Sequence, residues 1–235
     1  MKEKETPAHE RYQFKPFIGS SHSWALEILT QINKQSAILD VGCGAGLIGK
    51  TLQENKFQNL YAVEPDKPSL EIVKKYYTEV AVDLDQLSHK NYDVLLLLDV
   101  LEHITAPADF LTKCIAYLKP GALLLVSLPN IAHWSVRFPL LFGHFNYTER
   151  GILDKTHLHF YTRRSAEKFL NSFNQLSIKK ISSSIEPVEF VLPEAICGSR
   201  LFQSLAKLRL AAAHLFPGLL AYQNLFLLEK KRNGQ

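Results

Sequence analysis

A doubly wound α/β fold with a mostly parallel sheet is predicted by three observations. Short apolar runs bounded by turn residues recur along the chain and alternate with segments of helical spacing. One of them, Tyr92-Asp-Val-Leu-Leu-Leu-Leu98, is almost wholly apolar, as a central strand covered on both faces must be. The first run, Ala37-Ile-Leu-Asp-Val41, meets glycines at once (Gly42, Gly44, Gly46), the pattern of a tight strand-to-helix turn.

Taken in order, residues 1–18 are charged and then aromatic (Tyr12, Phe14, Phe17) and are read as an arm across the domain. Ser20 or Ser21 caps a helix to about Lys34 whose apolar stripe is Trp24, Leu26, Ile28, Leu29 and Ile32, with His22 read as a surface histidine rather than a cleft residue. Leu47 to Asn55 is helical, Leu60 to Glu64 a strand, Pro68 opens a helix to Tyr77, and Glu79 to Val82 is a third strand. After the apolar run at 92–98, Pro107 starts a helix to Leu118, and Lys119-Pro-Gly121 turns into a strand at 122–126. Thr162 caps a helix through Phe173, Leu176 to Ile185 is a strand, and Gln223 to Glu229 is the seventh. Two insertions interrupt this rhythm, 128–161 and 186–222, the second with a helix around Ser199 to Leu215. Right-handed crossovers bring the carboxyl ends of the parallel strands, and with them Asp40, Glu64, Asp83 and Asp99, to one edge of the sheet.

At 235 residues with 46% hydrophobic and 21% charged side chains, the chain suits one globular domain (1–235) and argues against long disorder. A net charge of +4 without a dense basic run gives no support to a nucleic-acid partner. Cys43, Cys114 and Cys197 have no paired spacing and fit a reducing cytoplasm. The charged amino terminus, with no apolar core behind it, is not read as a signal peptide. Residues 204–228 are apolar but broken by Lys207, Arg209, His214 and Pro217-Gly218; they read as a helix packed on the domain, with membrane-surface contact or a homodimer face as the alternatives.

The glycine turn points the backbone N–H groups of the next helix at a ligand. Gly44, Gly46 and Gly49 also satisfy the dinucleotide fingerprint, so the glycines leave two ligands open. Asp40, at the strand end, faces a cationic group well and a diphosphate badly.

Asp40-Val-Gly42-Cys-Gly44-Ala-Gly46 resembles the first motif of class I S-adenosylmethionine-dependent methyltransferases, and the resemblance extends over most of residues 12–173. It implies a seven-stranded Rossmann-like sheet with an antiparallel last strand, and S-adenosyl-L-methionine as cofactor. It places Gly42, Gly44 and Gly46 against the methionyl part, Glu64 on the ribose hydroxyls, and Asp83 with Leu84 at the adenine; a bare helix N-cap is the other reading of Asp83. Asp99-Val100-Leu-Glu-His103-Ile resembles the motif after the fourth strand, which floors the cofactor site, and Tyr12 is a candidate cover for it. Pro129-Asn130 and Gly151 to Thr162 look like those of a subgroup acting on small molecules, quinone precursors and sugars.

The insertion at 128–161 is rich in histidine and aromatic residues and is read as a substrate lid. A hydroxyl acceptor needs a base, for which His133, His157 and His103 are the candidates. Asp99, Glu102 and His103, and separately His157-x-His159, have the chemistry of metal ligands, but packed or hydrogen-bonded roles are preferred and no metal is expected. The function expected is methyl transfer to a small-molecule acceptor, most naturally an oxygen. The alternatives are a dinucleotide-dependent oxidoreductase and a non-catalytic module that binds the same cofactor.

Overall fold

The computed structural model describes residues 15–232, so the expected covering role of Tyr12 lies outside the described residues. Seven strands form one sheet in the order β3-β2-β1-β4-β5-β7-β6. They are β1 (Ile38–Val41), β2 (Leu60–Val63), β3 (Glu79–Ala81), β4 (Tyr92–Leu98), β5 (Leu118–Pro129), β6 (Leu176–Ser183) and β7 (Gln223–Lys230). Strands β1 to β5 pair in parallel, and β7 runs antiparallel between β5 and β6.

The parallel strands read as unbroken apolar runs because both of their faces are covered, and alternate residues serve opposite layers. Leu39, Leu95, Leu97, Leu124 and Val126 pack on one face with Leu111 and Ile115 of α4 (Pro107–Ala116) and Leu170 of α6 (Arg163–Asn171). Ile38, Val94, Leu96 and Leu125 pack on the other, with Trp24 and Leu29 of α1 (Ser21–Leu29), Leu52 of α2 (Leu47–Glu54) and Val73 of α3 (Lys67–Val73). The remaining helices are α5 (Trp134–Leu141), α7 (Glu194–Cys197), α8 (Arg200–Leu215) and α9 (Pro217–Leu220).

Capping follows the sequence signals. The Ser20 hydroxyl accepts the Ser23 N–H at 3.0 Å, and Thr162 and Ser165 form a reciprocal capping box. Three boundaries differ from the sequence expectation by four residues or more. Helix α1 stops at Leu29 rather than Lys34, where the Asn33 side chain takes the Gln35 N–H at 2.9 Å and turns the chain. Helix α3 ends at Val73 rather than Tyr77, and Tyr77 is drawn into the core. Strand β5 begins at Leu118 rather than Ala122: the Lys-Pro-Gly segment is a bulge within the strand, seen as a register shift opposite Tyr92 and Val94.

The Tyr77 side chain packs against the glycine turn. Its hydroxyl donates to Asp40 at 2.6 Å. Gly46 takes φ +66° at the cap of α2, and a Cβ there would meet Val73 Cγ1 at 2.7 Å. At Gly49 a Cβ would lie 2.2 Å from Tyr77 Cζ. Burial lifts the Asp40 carboxyl to about 6; the Tyr77 hydrogen bond opposes that shift and the nearby Glu64 charge adds to it.

Two expected outcomes test this packing. Gly49→Ala should lower the unfolding free energy in urea by roughly 1–3 kcal/mol, the usual cost of overpacking, because Tyr77 cannot yield without leaving Asp40. The Asp40 carboxyl, raised to about 6, keeps its proton in the native state to higher pH than in the unfolded chain, where the ordinary value is about 3.9. Its contribution to stability is therefore complete below about pH 4 and is lost as pH rises through about 6. Denaturation of the wild type and Asp40→Asn at pH 4 and pH 7 should show about 2 kcal/mol of additional pH-dependent loss in the wild type, and parallel profiles would remove this assignment.

Candidate active site

A cavity of about 490 Å³ opens at the carboxyl ends of β1, β2, β3 and β4. Asp40, Gly42, Gly44, Glu64, Asp83, Leu84, Asp99 and Val100 all line it. Gly46 does not; it is held one layer back against Val73, so its conformation shapes the turn and its surface does not reach the cavity.

Glu64 is buried and bridges two strand ends. One carboxylate oxygen accepts the Gly44 N–H at 2.8 Å and the other the Asp66 N–H at 2.9 Å. Burial pushes its pKa up, and these two N–H bonds oppose the shift. At Gly42, with φ +70°, a Cβ would strike Val100 Cγ2 at 2.9 Å, so the glycine lets the β1 and β4 ends close on one another.

Asp83 is exposed, and of the two roles weighed for it the N-cap is the one seen directly. Asp83 lines the cavity, and its side chain caps the turn Leu84–Gln86 by accepting the Asp85 N–H at 3.0 Å. Lys113 donates to it at 3.0 Å; the Asp85 N–H bond and then Lys113 hold its carboxyl below the usual range.

Asp99 adopts φ +58°, a left-handed conformation uncommon outside glycine, asparagine and aspartate. Ser127 and Gln223 each donate to Oδ1 at 2.5 Å and Lys15 donates to Oδ2 at 3.2 Å. Burial acts to raise the Asp99 pKa, but Lys15 and Ser127 outweigh it and the carboxyl stays ionised below the ordinary range.

Lys15, Asp99 and His103 also line a second cavity of about 170 Å³, together with Glu102, Asp154, His157, Phe190 and Tyr222. The two cavities therefore share a wall. The segment carrying His157 is docked there by main-chain bonds: Leu158 and His159 N–H groups donate to the Glu102 carbonyl at 2.8 and 3.2 Å.

His157 is buried, with its ring 4.7 Å from that of His103 in an edge arrangement. Its Nδ1 lies 3.0 Å from the Ile152 carbonyl, which can only accept, so Nδ1 carries the proton and Nε2 the lone pair. Burial, and then the neighbouring His103, lower its pKa. His103 Nδ1 lies 3.2 Å from the Thr156 carbonyl. Glu102 is fully buried beside them, neither of its carboxylate oxygens has a hydrogen-bond partner among the described residues, and burial lifts its pKa well above the ordinary value.

His133, the first of the sequence candidates for a base, needs correction. It lines neither cavity. Its Nδ1 accepts the Ser135 N–H at 3.3 Å as the cap of α5, and its Nε2 lies 2.9 Å from Glu186. With both ring nitrogens committed it has no lone pair to offer an acceptor. His22 is corrected in the other direction: it lines the large cavity and accepts the Lys15 N–H at 3.0 Å, and burial lowers its pKa to about 4. Sequence reading missed Lys15, Gln223 and Tyr77, which carry no motif and reach the site from distant parts of the chain.

Among the described residues, one group has the ligand atoms for a metal ion within 4.8 Å of one another: Glu102, His103 and His157. Asp99 and His159, weighed as ligands from the sequence, are not in it. No helix of the described residues is long and apolar enough to cross a membrane.

The chain resembles known proteins at several levels. A ubiquinone biosynthesis O-methyltransferase of Rickettsia canadensis (strain McKiel) is 33% identical over 101 residues, 40% of this chain and 42% of that protein. The match thus spans less than half the length of that relative. A solved S-adenosylmethionine-dependent methyltransferase from Archaeoglobus fulgidus shares the fold at TM-score 0.58 and 15% identity, over 91% of this chain and 95% of that one. Magnesium protoporphyrin IX methyltransferase from Synechocystis PCC 6803, solved with bound S-adenosylhomocysteine, does so at TM-score 0.58 and 16% identity, over 90% and 82% of the two chains. A family model described as a methyltransferase domain matches residues 12–174. That match sets aside the dinucleotide alternative left open by the glycine spacing, and with it the chain belongs to the methyltransferase-domain family, whose cofactor is S-adenosylmethionine.

Proposed function

We propose that this chain transfers a methyl group to an oxygen of a small-molecule acceptor held in the 170 Å³ cavity, with the cofactor in the 490 Å³ cavity beside it. The observation that carries the reading is the shared wall of Lys15, Asp99 and His103, which sets a donor and an acceptor side by side. The acid-lined rim suits a cationic donor. A volume of about 490 Å³ lies within the ordinary range of roughly 300–1,000 Å³ for ligand pockets. The ubiquinone O-methyltransferase relative supports oxygen as the receiving atom.

In this reading Glu64 holds the ribose hydroxyls while fixing the Gly44 turn, Asp83 and Leu84 receive the adenine, and Asp40, Gly42, Gly44, Asp99 and Val100 surround the methionyl part. Bound S-adenosylmethionine supplies a methyl carbon on a sulfonium that is electrophilic without further activation. The protein then has two tasks: to align the acceptor oxygen and to remove its proton. Alignment and exclusion of water fall to the 128–161 segment, which with residues 186–222 completes a single functional domain over 1–235. His157 takes the proton at Nε2, since its lowered pKa keeps the ring neutral at physiological pH. His103, at the shared wall, orients the acceptor.

His157→Ala should lower kcat by roughly 10²–10⁴, the range for loss of a general base, and leave S-adenosylhomocysteine affinity unchanged by calorimetry. Because the His157 pKa is depressed, the acid limb of the kcat/KM profile should fall below the ordinary imidazole value of about 6.5 and vanish in the variant. Glu64→Ala should weaken S-adenosylhomocysteine binding by about 1–3 kcal/mol. Unchanged affinity would take Glu64 out of the site, and cofactor binding without turnover on any hydroxyl compound would favour the non-catalytic module.

A second reading rests on the Glu102, His103 and His157 group, whose ligand atoms lie within 4.8 Å. A divalent cation held there would bind the acceptor oxygen directly and use the otherwise unpartnered Glu102 carboxylate. Activity that disappears with a chelator and returns with magnesium or manganese would favour this reading over the base.

A further inference from the structure

We propose that the face formed by α8 and the end of α5 is a docking surface for an anionic lipid layer. On α8, Leu201, Leu205, Leu208 and Leu215 are all exposed, Leu201 at 81% and Leu215 at 73%. At the α-helical repeat they fall within an arc of about 80°. The opposite side of the helix is satisfied, with Ala206 and Ala213 buried against Ile185. The helix packs on the domain as expected, and the stripe is a surplus apolar face on a helix that already has its packing partner.

Helix α5 carries a second exposed apolar patch. Phe138, Leu141 and Phe142 at its end are exposed, Phe142 at 79%. Glu186 ties the two helices together, accepting Trp134 Nε1 at 2.8 Å from α5 and Arg209 at 2.6 Å from α8.

Charge selects the occupant. No acidic residue occurs from Ala195 to Leu228 or from Phe110 to Thr148, the stretches that contain both helices. Arg137, Arg200 and Lys207 are exposed and have no acidic partner in the ion pairs among the described residues. A second copy would bring the same cations face to face across a two-fold axis, and neither helix carries an acid of its own to meet them. An anionic bilayer surface accepts both the leucines and the cations. Helix α8 has 16 residues, short of the roughly 20 that span a bilayer, so it lies on the surface and does not cross it. This surface stands independently of the acceptor assignment.

The test is co-sedimentation of the full chain with vesicles of phosphatidylcholine alone or mixed with phosphatidylglycerol. Binding should be confined to the mixed vesicles and weaken with salt. The double variant Leu205→Ser with Leu208→Ser should lower the partition coefficient at least tenfold. Arg200→Glu with Lys207→Glu, which leaves the leucines in place, should do the same and flatten the salt dependence. S-adenosylhomocysteine affinity should be unchanged in both, which reports folding and separates this surface from the cofactor site. Vesicle binding that neither variant alters, or a wild type that ignores vesicles and forms a dimer by light scattering lost in the leucine variant, overturns the proposal.

Discussion

The structure depends on a single constraint: parallel strands of a doubly wound sheet all end on the same edge, and backbone N–H groups and carboxylates exposed there must be satisfied together. Glu64 shows how. Its two oxygens take N–H groups from the turn after β1 and from the start of α3, so one buried carboxylate closes two strand ends at once. Asp40, one strand over, is instead satisfied by the Tyr77 hydroxyl from outside the sheet. Both acids are buried, yet each has a defined partner, which is the condition under which buried carboxylates are tolerated.

The second cavity is a product of segments that meet far from their places in sequence. Asp99 collects donors from the start of the chain (Lys15), from β5 (Ser127) and from β7 (Gln223). The Glu102 carbonyl collects the Leu158 and His159 N–H groups. These bonds set His157 against His103, and none follows from local spacing. The Glu102 side chain departs from the rule of satisfied acids, since both oxygens of its carboxylate are buried without a hydrogen-bond partner among the described residues. A group of that kind is costly as an anion, so burial drives it toward the neutral acid unless a cation neutralises it.

The surface outside the cleft has its own logic. Segments 128–161 and 186–222 are joined through Glu186, which is held well below the ordinary carboxylate range by His133, Arg209 and Trp134 against the opposing effect of burial. That pairing consumes His133, and the helices it joins leave leucines and phenylalanines uncovered. The same network that removes a candidate base from the chemistry holds the apolar face in place.

Much of the fold was written in the sequence by itself, because strand periodicity, capping residues and glycine turns act over a few residues. The seven strands, the turn at Gly42 to Gly46, the antiparallel last strand implied by the family resemblance, and the convergence of Asp40, Glu64, Asp83 and Asp99 on one rim were all legible. Boundaries were less so, as at α1, which closes at Leu29 with Thr30 as its cap well before the Asn33 turn. Only the tertiary structure decided which histidines face a cavity. His133 and His157 sit in similarly aromatic stretches, and what separates them is whether Glu186 or Glu102 lies opposite, a matter of long-range packing to which local pattern is blind.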